Sequence, residues 1–281
     1  MIEGGRPIAV LGAGTLGRRI ALMFATQGGV VRICDLSADQ RDAAETFVAK
    51  QLPRLLPTVP DSSPAELELS DDLATVVADA WLVVESLPER LELKRQVFAE
   101  LDRLAPADAI LASNSSSYPT SNLVDAVTTP ERVLNMHFFM PPFVTAVELM
   151  SSGRTDRGVI ERLMEVLPRY GITPFEARQE SVGFIYNRIW AAIKRESLAV
   201  AAEGVATPEE IDRLWVMVLG TPAGPFRMMD RVGLDVALDI ENHYAAERPG
   251  LPESPRKLLQ QYIDEGRLGM KSGRGFYDDY K

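Results

Sequence analysis

The chain has 281 residues, 46% hydrophobic and 25% charged, which excludes extensive disorder and leaves room for one large and one small domain. Its formal net charge of −10 repels nucleic acid and anionic membrane, so neither is expected as a partner. Cys34 is the only cysteine, which excludes an intramolecular disulfide and points to a reducing, cytoplasmic setting.

The start, Met1 to Gly14, runs directly into a strand, reads as lacking a charged-then-apolar leader, and no apolar stretch reaches bilayer length. Ile8 to Leu11, between Pro7 and Gly12, predicts a buried strand. A glycine turn over Gly12–Gly17 follows, then a helix with Ile20, Leu22, Met23 and Phe24 on its apolar face, ended by Gly28-Gly29. Val30 to Cys34 predicts a second strand, and Ser37 opens a helix through about Gln51. Four prolines between Pro53 and Pro64 predict an irregular loop. Trp81–Val84 and Ala109–Ala112 read as buried strands, separated by a charged helix from Glu89 to Leu104. Arg132–Phe139 and Val144–Met150 predict two strands joined by a proline-rich turn at Met140-Pro141-Pro142. A helix over Asp156–Leu167 and a strand over Ile172–Phe175 complete this half.

Beyond Ser181 strand signals vanish. Helices are predicted at Phe184–Glu203, Pro208–Val218, Pro225–Ala246 and Ser254–Glu265. The expected fold is therefore α/β: a Rossmann-type doubly wound sheet over residues 1–181, then a smaller all-helical domain over 182–281.

Gly12-Ala13-Gly14-Thr15-Leu16-Gly17 sits between a strand and a helix, the context in which such a pattern binds a dinucleotide. Gly12 permits the tight turn, Gly14 lets backbone approach a pyrophosphate, and Gly17 lets the helix pack on the strand. Asp35 closes the second strand, where a carboxylate accepts bonds from both ribose hydroxyls and disfavours a 2′-phosphate; NAD is expected rather than NADP. Arg18 and Arg19, just inside the helix, read equally as phosphate contacts or as solvated charge.

Moving a hydride to or from a carbinol carbon needs a group that takes or gives the hydroxyl proton, and histidine, with an ordinary pKa of about 6.5, serves both directions. His243 lies in a charged helical stretch and reads as a surface residue. His137 ends a strand, and Glu148 lies eleven residues on, inside the next strand. A hairpin folded at Met140–Phe143 brings that carboxylate beside the imidazole, where it fixes the tautomer and stabilises the protonated ring. The same pattern also fits a satisfied core histidine.

Seven stretches in collinear order resemble the 3-hydroxyacyl-CoA dehydrogenase family. They are Gly12–Gly17; Val83–Glu89; Ser113–Ser117; His137-Phe138-Phe139 with Glu148; Gly183–Arg188; Gly224-Pro225-Phe226 with Gly233-Leu234-Asp235; and Lys271–Tyr277. The resemblance implies an NAD-dependent oxidoreductase acting at the 3-hydroxy or 3-keto carbon of an acyl substrate, with a cleft between its two domains and dimerisation through the helical one. It implies that His137 is the general acid or base and Glu148 its orienting carboxylate, and that Ser116 and Asn187 donate to substrate oxygens. It places Glu89, Lys94 and Lys271 near the nicotinamide half of the cofactor, and it assigns no residues to a metal. The apolar stretch Leu214–Leu219 fits either a dimer contact or core.

Three departures bear on the substrate. Met140 replaces the family's asparagine, the His-to-Glu interval is one residue short, and Leu52–Pro64 holds Arg54 as its only basic residue where the family places cations for coenzyme A. Another acyl carrier, or a free hydroxy acid or sugar acid, is therefore an open alternative. A lysine-based hydroxyisobutyrate-type dehydrogenase and an inactive NAD-binding relative are the remaining ones.

Overall fold

The computed structural model describes residues 2–280 and divides into two compact units, the first running to Ile185 and the second starting at Tyr186. The first unit contains β1 (Ile8–Leu11), α1 (Gly17–Phe24), β2 (Val30–Cys34), α2 (Ala38–Leu55), β3 (Glu66–Ser70), α3 (Leu73–Val77) and β4 (Leu82–Glu85). There follow α4 (Leu91–Leu104), β5 (Ile110–Ser113), β6 (Val133–Phe138), β7 (Ala146–Ser151), α5 (Arg157–Val166) and β8 (Thr173–Ala177). Among the described residues the strands form one sheet of order β3-β2-β1-β4-β5-β6-β7-β8, in which only the β6–β7 pair is antiparallel.

Strands β1, β4, β5 and β6 are buried along their whole length, which is why β1 and the starts of β4 and β5 read as apolar runs rather than alternating ones, while β6 buries Asn135 and His137 among its apolar residues. Alternate residues still face opposite sides. Ile8, Val10, Leu82, Val84, Ile110 and Ala112 join the core beneath α1 and α5. Ala9, Leu11, Val83 and Leu111 join Phe98 and Leu101 of α4 on the other face. Helix α1 buries six of its eight residues, and the Phe24 ring meets Phe138 and Tyr170 edge-on at 6.2 and 5.1 Å. Each such side chain contributes about 1.5–3 kcal/mol by leaving water.

The second unit holds α6 (Tyr186–Ala202), α7 (Pro208–Leu219), α8 (Pro225–Val232), α9 (Leu234–Glu247) and α10 (Ser254–Asp264) around Leu198, Phe226, Met229, Leu234, Leu259 and Phe276. The expected single helix over Pro225–Ala246 is thus two. Gly233 breaks it with φ of 110°, a value no helix accommodates.

Further differences from the sequence reading have local causes. Strand β3 was not anticipated: Glu66 and Glu68 are outward charges on an edge strand, which resemble a surface loop until Glu68 meets Arg32 of β2 at 2.6 Å. The short α3 was not anticipated either; Asp72 caps it, accepting from the Ala74 and Thr75 amides. The proline-rich segment starts later than expected, because α2 runs through Pro53 to Leu55 and a 3-10 turn covers Leu56–Thr58. The first compact unit ends at Ile185, whose amide donates to Glu148 within it.

Candidate active site

In doubly wound sheets ligands gather at the carboxyl ends of the parallel strands. Here one row of register partners runs across that edge: Cys34 opposite Leu11, Leu11 opposite Glu85, Glu85 opposite Ser113, and Ser113 opposite Asn135. The glycine turn follows Leu11, the serine-rich loop follows Ser113, and His137 lies two residues beyond Asn135. The sheet therefore presents these three segments along a single edge.

The glycine turn has the clearances that a dinucleotide requires. Gly12 has φ of 96°, and a Cβ there would lie 2.5 Å from the Ser86 carbonyl oxygen. A Cβ on Gly17 would lie 1.8 Å from the Gly12 oxygen, so only glycine lets α1 start against β1. At Gly14 a Cβ would meet nothing within 4 Å, so the absent side chain leaves the backbone open to a ligand. Thr15 is exposed and Leu16 half-buried. Asp35 locks the turn: its Oδ2 accepts from the Ala13 amide at 2.7 Å and its Oδ1 from the Ser37 amide at 2.9 Å. A carboxylate has about four acceptor positions, so lone pairs remain for ribose hydroxyls. These residues fit NAD: the turn and the α1 N-terminus would hold its pyrophosphate, and Asp35 its adenosine ribose.

Behind the serine loop lies a buried charged group that the sequence reading quoted without assigning a role to its centre, Glu85. Glu85 and Lys94 are 0% and 1% exposed, and the ammonium lies 2.7 Å from Glu85 Oε1. Lys94 also reaches Glu89 at 3.1 Å and the Leu87 carbonyl at 3.3 Å, which occupies its three donors. Glu85 accepts further bonds from the Ser113 hydroxyl and the Leu87 amide, each at 2.7 Å. Glu89 in turn accepts from the Ser115 hydroxyl and from the Ser117 amide. Partial burial works against the charge on Glu89, but Ser115, Lys94 and the Ser117 amide outweigh it and hold its carboxyl below the ordinary value. Lys94 thus acts from behind, by fixing Glu89. Exposed Ser116 lies between two residues tied to Glu89, and Asn135 braces the loop further on through the Thr120 amide and the Tyr118 carbonyl.

The antiparallel register sets His137 directly opposite Glu148, and Nδ1 lies 2.9 Å from Oε2. Both side chains are nearly enclosed, at 7% and 3% exposure. The second oxygen of Glu148 accepts the Ile185 amide at 3.0 Å. Phe184 stacks on the imidazole, centroids 4.9 Å apart and planes 22° apart, and Phe139 lies tilted at 5.0 Å. Phe184 reaches this position with φ of 54°, left-handed backbone that a bulky residue adopts at a cost of roughly 1–3 kcal/mol. The strain buys two contacts at once: the ring lies over His137 while the next amide points at Glu148. Gly183-Phe184 in the sequence was the signal for this turn, although only Asn187 was assigned from that stretch.

Asn187, half-buried, lies in the first turn of α6, two residues after Ile185. Lys271 lies in the helical unit with its ammonium bonded to both oxygens of Asp235, so its charge is already matched there. Arg18 and Lys50 line an open groove of about 450 Å³ together with Phe47, Asp42, Thr46 and Gln51. Among the described residues no group of three or more His, Cys, Asp or Glu is placed to hold a metal, and no helix is long and apolar enough to cross a membrane.

Comparison with known proteins is consistent along the whole chain. The profile described as 3-hydroxyacyl-CoA dehydrogenase, NAD binding domain, matches residues 7–180, and that described as 3-hydroxyacyl-CoA dehydrogenase, C-terminal domain, matches residues 183–279. A probable 3-hydroxybutyryl-CoA dehydrogenase of Bacillus subtilis is 34% identical over 97% of both chains. The solved (S)-3-hydroxybutyryl-CoA dehydrogenase of Ralstonia eutropha superposes with a TM-score of 0.86 at 28% identity, covering 98% of this chain and 99% of that one. A diketoreductase acting on dicarbonyl compounds superposes with a TM-score of 0.81 at 34% identity, covering 97% and 98%.

Proposed function

The chain belongs to the 3-hydroxyacyl-CoA dehydrogenase family, and from that premise we propose that it transfers a hydride between NAD and the C3 position of a 3-hydroxyacyl-CoA, within fatty acid metabolism. The observation that carries this reading is the His137–Glu148 pair, 2.9 Å apart at the sheet edge that also bears the glycine turn. Bound NAD supplies the hydride acceptor. Because Nδ1 faces the carboxylate, Nδ1–H donates to Glu148 and Nε2 keeps the lone pair. As the C3–H bond breaks and C3=O forms, Nε2 takes the hydroxyl proton, and Glu148 stabilises the resulting imidazolium; reduction runs the same transfers backward. We assign Ser116 and Asn187 as donors to the substrate oxygens, where they favour developing negative charge. Glu89, held by Lys94, is assigned to the cofactor side.

The Arg18–Lys50 groove supports a CoA thioester over a free hydroxy acid, because its two cations and aromatic ring suit a phosphorylated carrier. A homodimer through the helical unit is supported by the outward face of α7, where Leu214, Met217, Val218 and Leu219 are all more than half exposed. A reducing compartment such as the cytoplasm suits the lone, half-buried Cys34. The test is NADH oxidation with acetoacetyl-CoA against free acetoacetate. A kcat/KM at least a hundredfold higher for the thioester is expected; parity or preference for the free acid contradicts the substrate assignment.

A further inference from the structure

Arg19 is the one α1 side chain seen bonded to the loop that leaves His137. Its Nη1 donates to the Pro141 carbonyl at 3.0 Å, and its guanidinium lies over Phe143 on that loop and Phe47 on α2, at 5.2 and 5.1 Å. A planar, delocalised cation between two rings is held by dispersion and cation–π attraction as well as by its hydrogen bond, and an ammonium reproduces only part of that. The two segments it joins are the helix that starts at the cofactor's glycine turn and the stretch between His137 and Glu148. That stretch exposes Met140, Phe143 and Val144 immediately beyond the histidine, at 43%, 80% and 45%. Its own hydrogen bonding includes Val144 N–H to the Met140 carbonyl at 3.0 Å.

We propose that Arg19 is a positioning residue for the reaction: by clamping Pro141 and Phe143 it fixes the loop after His137, so that the loop's apolar side chains meet the acyl substrate in one orientation. The inference rests on the dehydrogenase reading for its substrate. It does not rest on a contact between Arg19 and the cofactor. Side chains that only orient a substrate change the acyl-dependent step, because a small misplacement at the reacting carbon is costly, and they leave cofactor affinity alone.

The test uses the full-length protein with Arg19→Met, which keeps an unbranched apolar stem but loses the charge, the donor and the planar group over the two rings, together with Arg19→Lys and the exposed-site variant Phe143→Leu. Amide hydrogen exchange of residues 139–146, kcat/KM for acetoacetyl-CoA and NADH affinity by fluorescence are measured for each. Arg19→Met is expected to speed exchange in that segment at least tenfold, to lower kcat/KM for acetoacetyl-CoA at least tenfold and to leave NADH affinity within twofold. Lysine should restore part of the loss, and Phe143→Leu should move the same readouts less. Unchanged exchange in the loop overturns the clamp, as does an equal loss of NADH and acyl affinity. If the wild type fails to reduce acetoacetyl-CoA, the dehydrogenase reading fails on its own, and the exchange data still decide whether Arg19 holds the loop.

Discussion

Lys94→Met probes the buried charged group beneath the serine loop. The ammonium is 1% exposed, 2.7 Å from the fully buried Glu85, and also bonded to Glu89 and the Leu87 carbonyl. Removing one partner of a buried pair costs roughly 3–5 kcal/mol, chiefly because the other charge stays behind without compensation. Glu85 keeps the Ser113 hydroxyl and the Leu87 amide at 2.7 Å, which places the loss at the low end, about 3 kcal/mol. For a unit of this size that corresponds to a fall in Tm of about 6–12 °C. Urea unfolding followed by far-ultraviolet circular dichroism measures it, with Glu85→Gln and the double variant completing a cycle. Contacting charges should couple by about 1.5 kcal/mol or more, so the double variant should be more stable than the sum of the singles. Turnover should also fall, since Glu89 loses the cation that holds it under Ser115 and Ser117. A single-variant loss below about 1 kcal/mol, or strict additivity, refutes the reasoning.

Two glycine substitutions should separate packing from binding. Gly17→Ala drives a Cβ to 1.8 Å from the Gly12 oxygen, so it should lower stability by about 1–3 kcal/mol and weaken NADH binding at least tenfold. Gly14→Ala meets nothing within 4 Å and should leave stability within about 0.5 kcal/mol while still weakening NADH binding, which thermal shift with and without NADH resolves. Asp102 provides the acid dependence. Burial opposes its charge, but the Thr128 and Thr129 hydroxyls, the Thr128 amide and Arg132 more than offset this and hold its carboxyl well below the usual range. A depressed carboxylate stabilises above its unfolded pKa of about 3.9 and loses that contribution as pH falls through the folded value. Asp102→Asn should therefore cost on the order of 2 kcal/mol at pH 7, and the gap to wild type should narrow below about pH 4. A gap constant from pH 7 to pH 3 in equilibrium unfolding contradicts it.

Where chemistry demanded a residue type, the sequence was readable. The run Ile8–Leu11 and the turn Gly12–Gly17 were clear because a central strand must be apolar throughout and the turn tolerates no Cβ at two positions. The hairpin that pairs His137 with Glu148 was readable as two strands and a short connection, but only the family resemblance gave the pair a role and only the structure gives the register. What stayed hidden depends on contacts distant in sequence. Glu85 lies just past the predicted strand Trp81–Val84, and its role shows only once Lys94, nine residues on in a helix, closes over it. Phe184 looked like the start of a helix, and only a left-handed backbone explains its place on the imidazole. The edge strand Glu66–Ser70 drew no reading, and Arg19 read equally as a phosphate contact or as solvated charge, because a lone sequence does not show which charges find partners.

Single-turnover oxidation of NADH by acetoacetyl-CoA, comparing wild type with His137→Asn, bears most directly on the imidazole–carboxylate pair as the proton-transfer site. A fall of about 10²- to 10⁴-fold in the rate is predicted, with NADH affinity unchanged. A variant that retains more than a tenth of the wild-type rate would contradict it.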